Sequence, residues 1–246
     1  MSTDRTVLAV TGSDRESFLQ GLITNDVQRA HGGIVYAALL TPQGKFIADF
    51  FVVGAADRLL IDVATSHAPG LAQRLNMYRL RADVQIAETD IIVSRGTGDM
   101  PADAHADPRH AALGWRHYGD ADISDETDWT AINVAQLVPT AGVELTPDSY
   151  ILEMGFERLN GIDFKKGCYV GQEIAARMKH KTELKKGLAQ VTLSGSAQPG
   201  DEITSHGKPV GTLHSIAGTT ALAYLRFDRT KDMVAGDATL TLTTDC

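Results

Sequence analysis

The sequence predicts an α+β protein that closes with a small β-barrel. Three observations carry this expectation. The first hundred residues alternate strand-like and helix-like patterns, and the residues after Lys186 fall into short, evenly spaced strand-like runs between Gly and Pro turns. The chain has 246 residues, 43% hydrophobic and 22% charged, enough to bury a sizeable core.

Thr6 to Val10 reads as the first strand, and a helix opens at Ser13. Ser13 and Glu16 have capping-box spacing, at which each side chain reaches the other's backbone amide. Phe18, Leu19, Leu22 and Ile23 recur at helical spacing, and Asn25-Asp26 closes the element. A three-stranded antiparallel meander follows: Ile34 to Leu40, the turn Thr41-Pro42-Gln43-Gly44, Phe46 to Val53, a turn from Gly54 to Arg58, and Leu59 to Val63. Ser66 is the expected cap of a second helix reaching about Leu80, with Pro69 in its first turn, where the amide has no intrahelical partner.

Val84 to Ala87 and Ile91 to Ser94 are strand-like. Gly96 to Pro108 is rich in Gly, Asp, Pro and Ala, and predicts an exposed loop and a subdomain boundary. A helix is expected from Asp125 to Leu137, a mostly helical stretch from Asp148 to Asn160, and a helix from Gly171 to His180. The barrel strands expected are Leu188 to Leu193, Glu202 to Thr204, Pro209 to Ile216, Ala221 to Arg226 and Ala238 to Leu242. The domain division expected is 1–184, as two intertwined α+β subdomains, and 185–246 as the barrel.

Twenty-three basic against 31 acidic residues leave a formal net charge of −8, which argues against nonspecific duplex binding through a phosphate-neutralising face. The apolar run Val7 to Val10 is too short for a signal-peptide core or a membrane span, so a soluble cytoplasmic protein is expected. Cys168 and Cys246 are the only cysteines and make no CxxC pair, which excludes a disulfide framework or a self-contained thiolate cluster. Cys246, at the extreme C-terminus, is expected to be mobile and outside the chemistry. The histidines show no HxxxH or HExxH spacing, and no metal site is expected. No GxGxxG, P-loop or GxSxG motif supports a nucleotide or serine-hydrolase reading.

The most informative segment is Lys165-Lys166-Gly167-Cys168-Tyr169-Val170-Gly171-Gln172-Glu173. It sets a thiol beside two ammonium groups and ahead of a helix, both of which favour the reactive thiolate. A buried cysteine beside a glycine turn is the competing reading. Downstream, Arg177, Lys179, His180, Lys181, Lys185 and Lys186 are either a solvated face or a docking site for a carboxylate-rich ligand. Asp26, Asp49, Glu153 and Asp163 lie in or beside apolar stretches, where a carboxylate needs a partner. Such a group can accept two parallel hydrogen bonds from a ring with adjacent N–H donors, as a pterin has; each taken singly also fits a cap or a structural ion pair.

Lys166-Gly167-Cys168-Tyr169-Val170-Gly171-Gln172-Glu173 resembles the K-G-C-Y-x-G-Q-E signature of the YgfZ family, folate-binding proteins of iron–sulfur cluster assembly and maintenance related in fold to the glycine-cleavage T-protein. The resemblance extends to Phe18–Asp26, a first-helix motif, to Leu40–Lys45, a hairpin turn, and to Asn160–Phe164, the approach to the cysteine. It implies an aminomethyltransferase-like folate-binding fold that includes a ferredoxin-like unit, with tetrahydrofolate as cofactor in a central channel, followed by the barrel. It also implies a functional pair at Cys168 and Lys166, and folate-binding side chains at Glu153, Asp49, Tyr169, Gln172, Glu173 and Arg177. The implied partners are reduced folate and iron–sulfur client enzymes or assembly factors, with tRNA modification among the processes supported and no direct contact with nucleic acid or membrane.

One departure separates the chain from the T-protein, which usually carries two adjacent acids after its hairpin glycines. Phe46-Ile47-Ala48-Asp49-Phe50 has a single acid. A missing carboxylate near a reacting folate nitrogen removes a proton-handling group typically worth roughly a hundredfold or more. This favours an accessory protein that binds folate and uses a thiol over a folate-dependent aminomethyltransferase or demethylase; an interaction module that has lost the ligand is the third reading.

Overall fold

The computed structural model describes residues 4–181 and 183–243 and forms two compact units. Cys246 lies outside the described residues. The first unit comprises residues up to Thr127 and Phe156–Ala176; the second comprises Asp128–Gly155 and the chain from Arg177 onward. The units therefore divide the chain differently from the expected break at 184, because Asp128–Gly155 clusters with the barrel.

The first unit opens with β1 (Arg5–Thr11), α1 (Arg15–Gln20), β2 (Ile34–Leu40), β3 (Phe46–Gly54), β4 (Leu59–Ala64), α2 (Ala68–Arg79) and β5 (Gln85–Glu88). These strands form one sheet in the order β2-β3-β4-β1-β5, with every pairing antiparallel. Without the edge strand β2, the remaining elements follow the β-α-β-β-α-β order of a ferredoxin-like unit. Alternation along each strand sorts the side chains between the faces. Leu8, Ala37, Leu39, Phe50 and Ile61 join Leu19 of α1 and Leu71 and Leu75 of α2 in one buried cluster. Each fully buried Leu, Ile or Phe there contributes about 1.5–3 kcal/mol.

The intervening residues Tyr36, Asp49, Phe51 and Asp62 belong to the opposite face of the sheet. A smaller sheet of β6 (Ile92–Gly96), β7 (His105–Ala106) and β8 (Trp115–Gly119), in the order β6-β8-β7, supplies Arg116 and Tyr118 to Asp62. In the second unit, α3 (Trp129–Ala135) is capped by the Asp128 side chain, which accepts from the Ala131 amide. Helix α4 (Gln172–Lys181) carries the chain from the first unit into the second.

Six strands then close a barrel: β9 (Lys186–Ser194), β10 (Glu202–Ser205), β11 (Lys208–Ala217), β12 (Thr220–Arg226), β13 (Met233–Ala235) and β14 (Ala238–Leu242), in the order β10-β11-β12-β9-β14-β13. Closure satisfies the strand edges that an open sheet would expose. The expected barrel is present with one added strand, β13, whose three residues are too short to show alternation.

Five local expectations are corrected. The Ser13–Glu16 capping box does not form: the amide and hydroxyl of Ser13 both donate to the Asp83 carboxylate, and α1 begins at Arg15 with no side-chain cap. Helix α1 stops at Gln20, short of Asn25, and Val27–Ala30 forms a separate 3₁₀ turn capped by Asp26. Likewise, α2 starts after His67 with no side-chain cap; the Ser66 hydroxyl meets the His67 ring instead. Residues 148–160 form successive turns rather than a helix, because Gly155 at φ 77° and Asn160 at φ 54° break the right-handed path. The Gly96–Pro108 stretch is not wholly an exposed loop: it lies within the first unit and contains β7 and the buried Asp107. No helix among the described residues is long and apolar enough to cross a membrane.

Candidate functional site

The four segments singled out in the sequence meet in the first unit. Thr24 and Asn25, just beyond α1, bind the approach to the cysteine: the Thr24 hydroxyl donates to the Gly161 carbonyl at 2.7 Å, the Asn25 amide to the Asn160 carbonyl at 2.6 Å, and the Asp163 amide to the Thr24 carbonyl at 3.0 Å. Asp163, nearly buried, accepts from the Lys165 amide at 2.7 Å and pairs with Arg29 at 2.6 Å. The hairpin turn between β2 and β3 meets the start of α4. A Cβ built on Gly171 would lie 2.7 Å from the Thr41 carbonyl oxygen, and one on Gly44 would lie 2.7 Å from Cβ of Ile174, so only glycine fits at either position.

Lys166 lies between these contacts with 7% of its surface exposed. Its ammonium donates to the carbonyls of Gln20 at 2.7 Å and Ile23 at 2.6 Å, and sits 5.2 Å from the centre of the Tyr169 ring. A cation suits the carbonyls left open where a helix ends. Burial lowers the Lys166 ammonium to about 8, against the nearby carboxylates of Asp26 and Asp163, which hold it up. The Lys166 ammonium is thus bonded to main-chain carbonyls near the end of α1.

Cys168 is exposed, in the irregular stretch between Lys166 and α4. Gln172, the first residue of α4, holds the carbonyls on either side of it: its side-chain amide donates to Gly167 at 3.0 Å and its backbone amide to Tyr169 at 3.3 Å. Tyr169 is buried with its hydroxyl unpaired, and burial pushes that phenol up to about 12. Val170 packs against the main core of the first unit. Glu173 is exposed in the first turn of α4, where a negative charge suits the helix dipole. Arg177 is exposed further along the helix and falls in the second unit.

Asp49 on β3 is 7% exposed. Its Oδ2 accepts from the Tyr36 hydroxyl at 2.9 Å, and its Oδ1 is buried with no partner. Glu153 belongs to the second unit, where its Oε2 accepts from the Tyr224 hydroxyl of β12 at 2.7 Å and its backbone carbonyl from the Leu188 amide of β9 at 2.8 Å. Burial and this carboxylate raise the Tyr224 phenol.

Sequence reasoning missed a buried ionic network on the same sheet face as Asp49. Asp62 accepts from Arg5 Nε at 2.6 Å, from the Arg116 guanidinium at 2.6 and 3.1 Å, and from the Tyr118 hydroxyl at 2.9 Å. Arg109, paired with Asp107, lies over the rings of Tyr36 and Phe51 at 5.3 and 4.8 Å. The one sequence signal was Asp62 itself, a lone acid inside the apolar run Leu59–Val63.

Residues 185–245 match the family model described as CAF17, C-terminal beta-barrel domain. The chain is 28% identical to the iron-sulfur cluster assembly factor IBA57 homolog, mitochondrial, of Mycosarcoma maydis, with 79% of this chain and 57% of that one covered. It is 26% identical to the mouse iron-sulfur cluster assembly factor IBA57, mitochondrial, over 92% of this chain and 77% of the relative. It is also 26% identical to the tRNA-modifying protein YgfZ of Aliivibrio fischeri, over 92% and 80%. The chain thus spans little more than half the length of the first of these relatives. Among solved structures, aminomethyltransferase T of the glycine cleavage system from Bartonella henselae superposes with a TM-score of 0.76 at 12% identity, covering 98% of this chain and 83% of that one. The chain is thus similar to the IBA57 and YgfZ proteins along most of its length, has a barrel matching the CAF17 C-terminal model, and shares the aminomethyltransferase fold.

Proposed function

We propose that this protein is a tetrahydrofolate-binding accessory factor for iron–sulfur cluster assembly or maintenance, with Cys168 as its working thiol. The observation that carries the reading is the exposed Cys168 on a stretch whose neighbours on both sides are tied down, in a chain whose relatives are named iron-sulfur cluster assembly factors. A lone thiolate supplies one ligand to iron, so the remaining ligands come from the client protein, a second chain or a small thiol. Cytoplasmic action fits this reading, because a free exposed thiol stays reduced there.

The buried polar atoms of the first unit fit a pterin. Oδ1 of Asp49 is an acceptor without a donor, and a pterin ring offers adjacent N–H donors. Tyr36 orients that carboxylate through Oδ2, and the Tyr169 hydroxyl is a donor without an acceptor. Glu153, which accepts from Tyr224, and the exposed Arg177 belong to the second unit and form no part of this reading. Tetrahydrofolate, when bound, supplies a reduced carrier of one-carbon groups.

The test is restoration of an iron–sulfur enzyme's activity in cells lacking this protein. The wild-type chain is expected to restore it, and Cys168→Ser to fail while keeping the same thermal midpoint. Full restoration by Cys168→Ser overturns the thiol role and favours a folate-dependent one-carbon transferase.

A further inference from the structure

The geometry points to Lys166 and Gln172 as positioning residues that hold the main chain on both sides of Cys168, with Lys166 contributing no charge to the thiol; this inference rests on Cys168 being the working thiol. Both residue types read as surface groups in sequence, beside Lys165 and Glu173, which are exposed. The structure separates them. Lys166 is buried, and its ammonium ties the residue two places before the cysteine to the carbonyls of Gln20 and Ile23. Gln172 fixes the carbonyls of Gly167 and Tyr169, the immediate neighbours of the cysteine.

The pins continue outward in both directions. Asp163 accepts from the Lys165 amide, and the seat of α4 against the hairpin turn, at Gly44 and Ile174, fixes the far end. Between them, Gly167 and Cys168 are both exposed, and a Cβ built on Gly167 would meet nothing within 4 Å. The result is a thiol held at a fixed place on the surface. Restricting the chain around a reacting atom lowers the entropy lost when it engages a partner. Using a buried ammonium for this is costly, because the charge gives up water, and two short bonds to carbonyls at a helix end offset that cost.

The test labels Cys168 with a methanethiosulfonate nitroxide in a Cys246→Ser background, so that one thiol reacts. The parent spectrum at 25 °C is expected to be broad, with slow motion. Lys166→Met and Gln172→Ala are each expected to sharpen it at a temperature where both variants still show a cooperative unfolding transition; Lys165→Ala is expected to leave it broad. In parallel, the pH midpoint of Cys168 alkylation by iodoacetamide is expected to stay in place in Lys166→Met. A midpoint moved up by about one unit identifies Lys166 as a charge partner of the thiol and overturns the inference. An unchanged spectrum in Gln172→Ala also overturns it, even if Lys166→Met does not fold. Neither readout involves folate or a client protein, so failure of the proposed function would leave these results standing.

Discussion

Gly44 and Ile174 touch where the hairpin between β2 and β3 meets the first turn of α4: a Cβ on Gly44 would stand 2.7 Å from the Ile174 Cβ and 2.9 Å from its Cγ2. Gly44 also has φ 73°. Gly44→Ala therefore combines left-handed strain with a clash that displaces the helix start, together about 2–4 kcal/mol. Gly32 is a matched control, with φ 71° and nothing within 4 Å of a built Cβ. Denaturant unfolding is expected to show Gly32→Ala losing only about 1 kcal/mol. Equal losses in the two variants would contradict the close approach.

Asp62 holds Arg5, Arg116 and Tyr118 together with no exposed surface of its own. Asp62→Asn leaves Arg116 buried without its main counter-ion and is expected to cost about 3–5 kcal/mol in urea unfolding. Burial opposes the charge on Asp62, but Arg116 and Arg5 outweigh it and hold the carboxyl at about 2. Since that lies below its value in the unfolded chain, the stabilisation is complete above about pH 4 and fades as the pH falls through 2, by about 2 kcal/mol. A wild-type acid transition identical to that of Asp62→Asn would refute this.

The same sign holds for Lys166 in a higher pH window, although there burial favours the neutral form. Its ammonium titrates at about 8 in the fold, below the ordinary 10.5 of a lysine. Between these values the unfolded chain binds the extra proton, so this residue's contribution to stability rises with pH. Lys166→Met is expected to lack that rise when unfolding free energies are compared from pH 8 to 10.5. A parallel rise in both proteins would show that Lys166 is not its source.

Much of the fold was legible because near-continuous apolar runs such as Ile34–Leu40 and Phe46–Val53 are bounded by Gly and Pro turns that fix their ends. The helix ends were not legible, because tertiary partners decided them. Ser13 turned to Asp83, distant in sequence, rather than to its own helix, and the carbonyls of Gln20 and Ile23 were drawn to Lys166. Within the site, the exposed Cys168 and the lone acid Asp49 were visible as residues. That Lys166 is buried was not, because a Lys-Lys pair reads as solvated, and nothing local links it to α1. The Tyr36–Asp49 bond could have been found by placing both residues on the non-helical face of neighbouring strands.

The central claim is tested most directly by anaerobic calorimetric titration of tetrahydrofolate into the wild-type protein, Cys168→Ser and Asp49→Asn. Asn at position 49 replaces one carboxylate oxygen with an N–H donor, so affinity is expected to fall roughly tenfold or more, about 1.4 kcal/mol. Saturable binding in the wild type, retained in Cys168→Ser and weakened in Asp49→Asn, is the result predicted. No saturable heat from folded wild-type protein at millimolar ligand would contradict it.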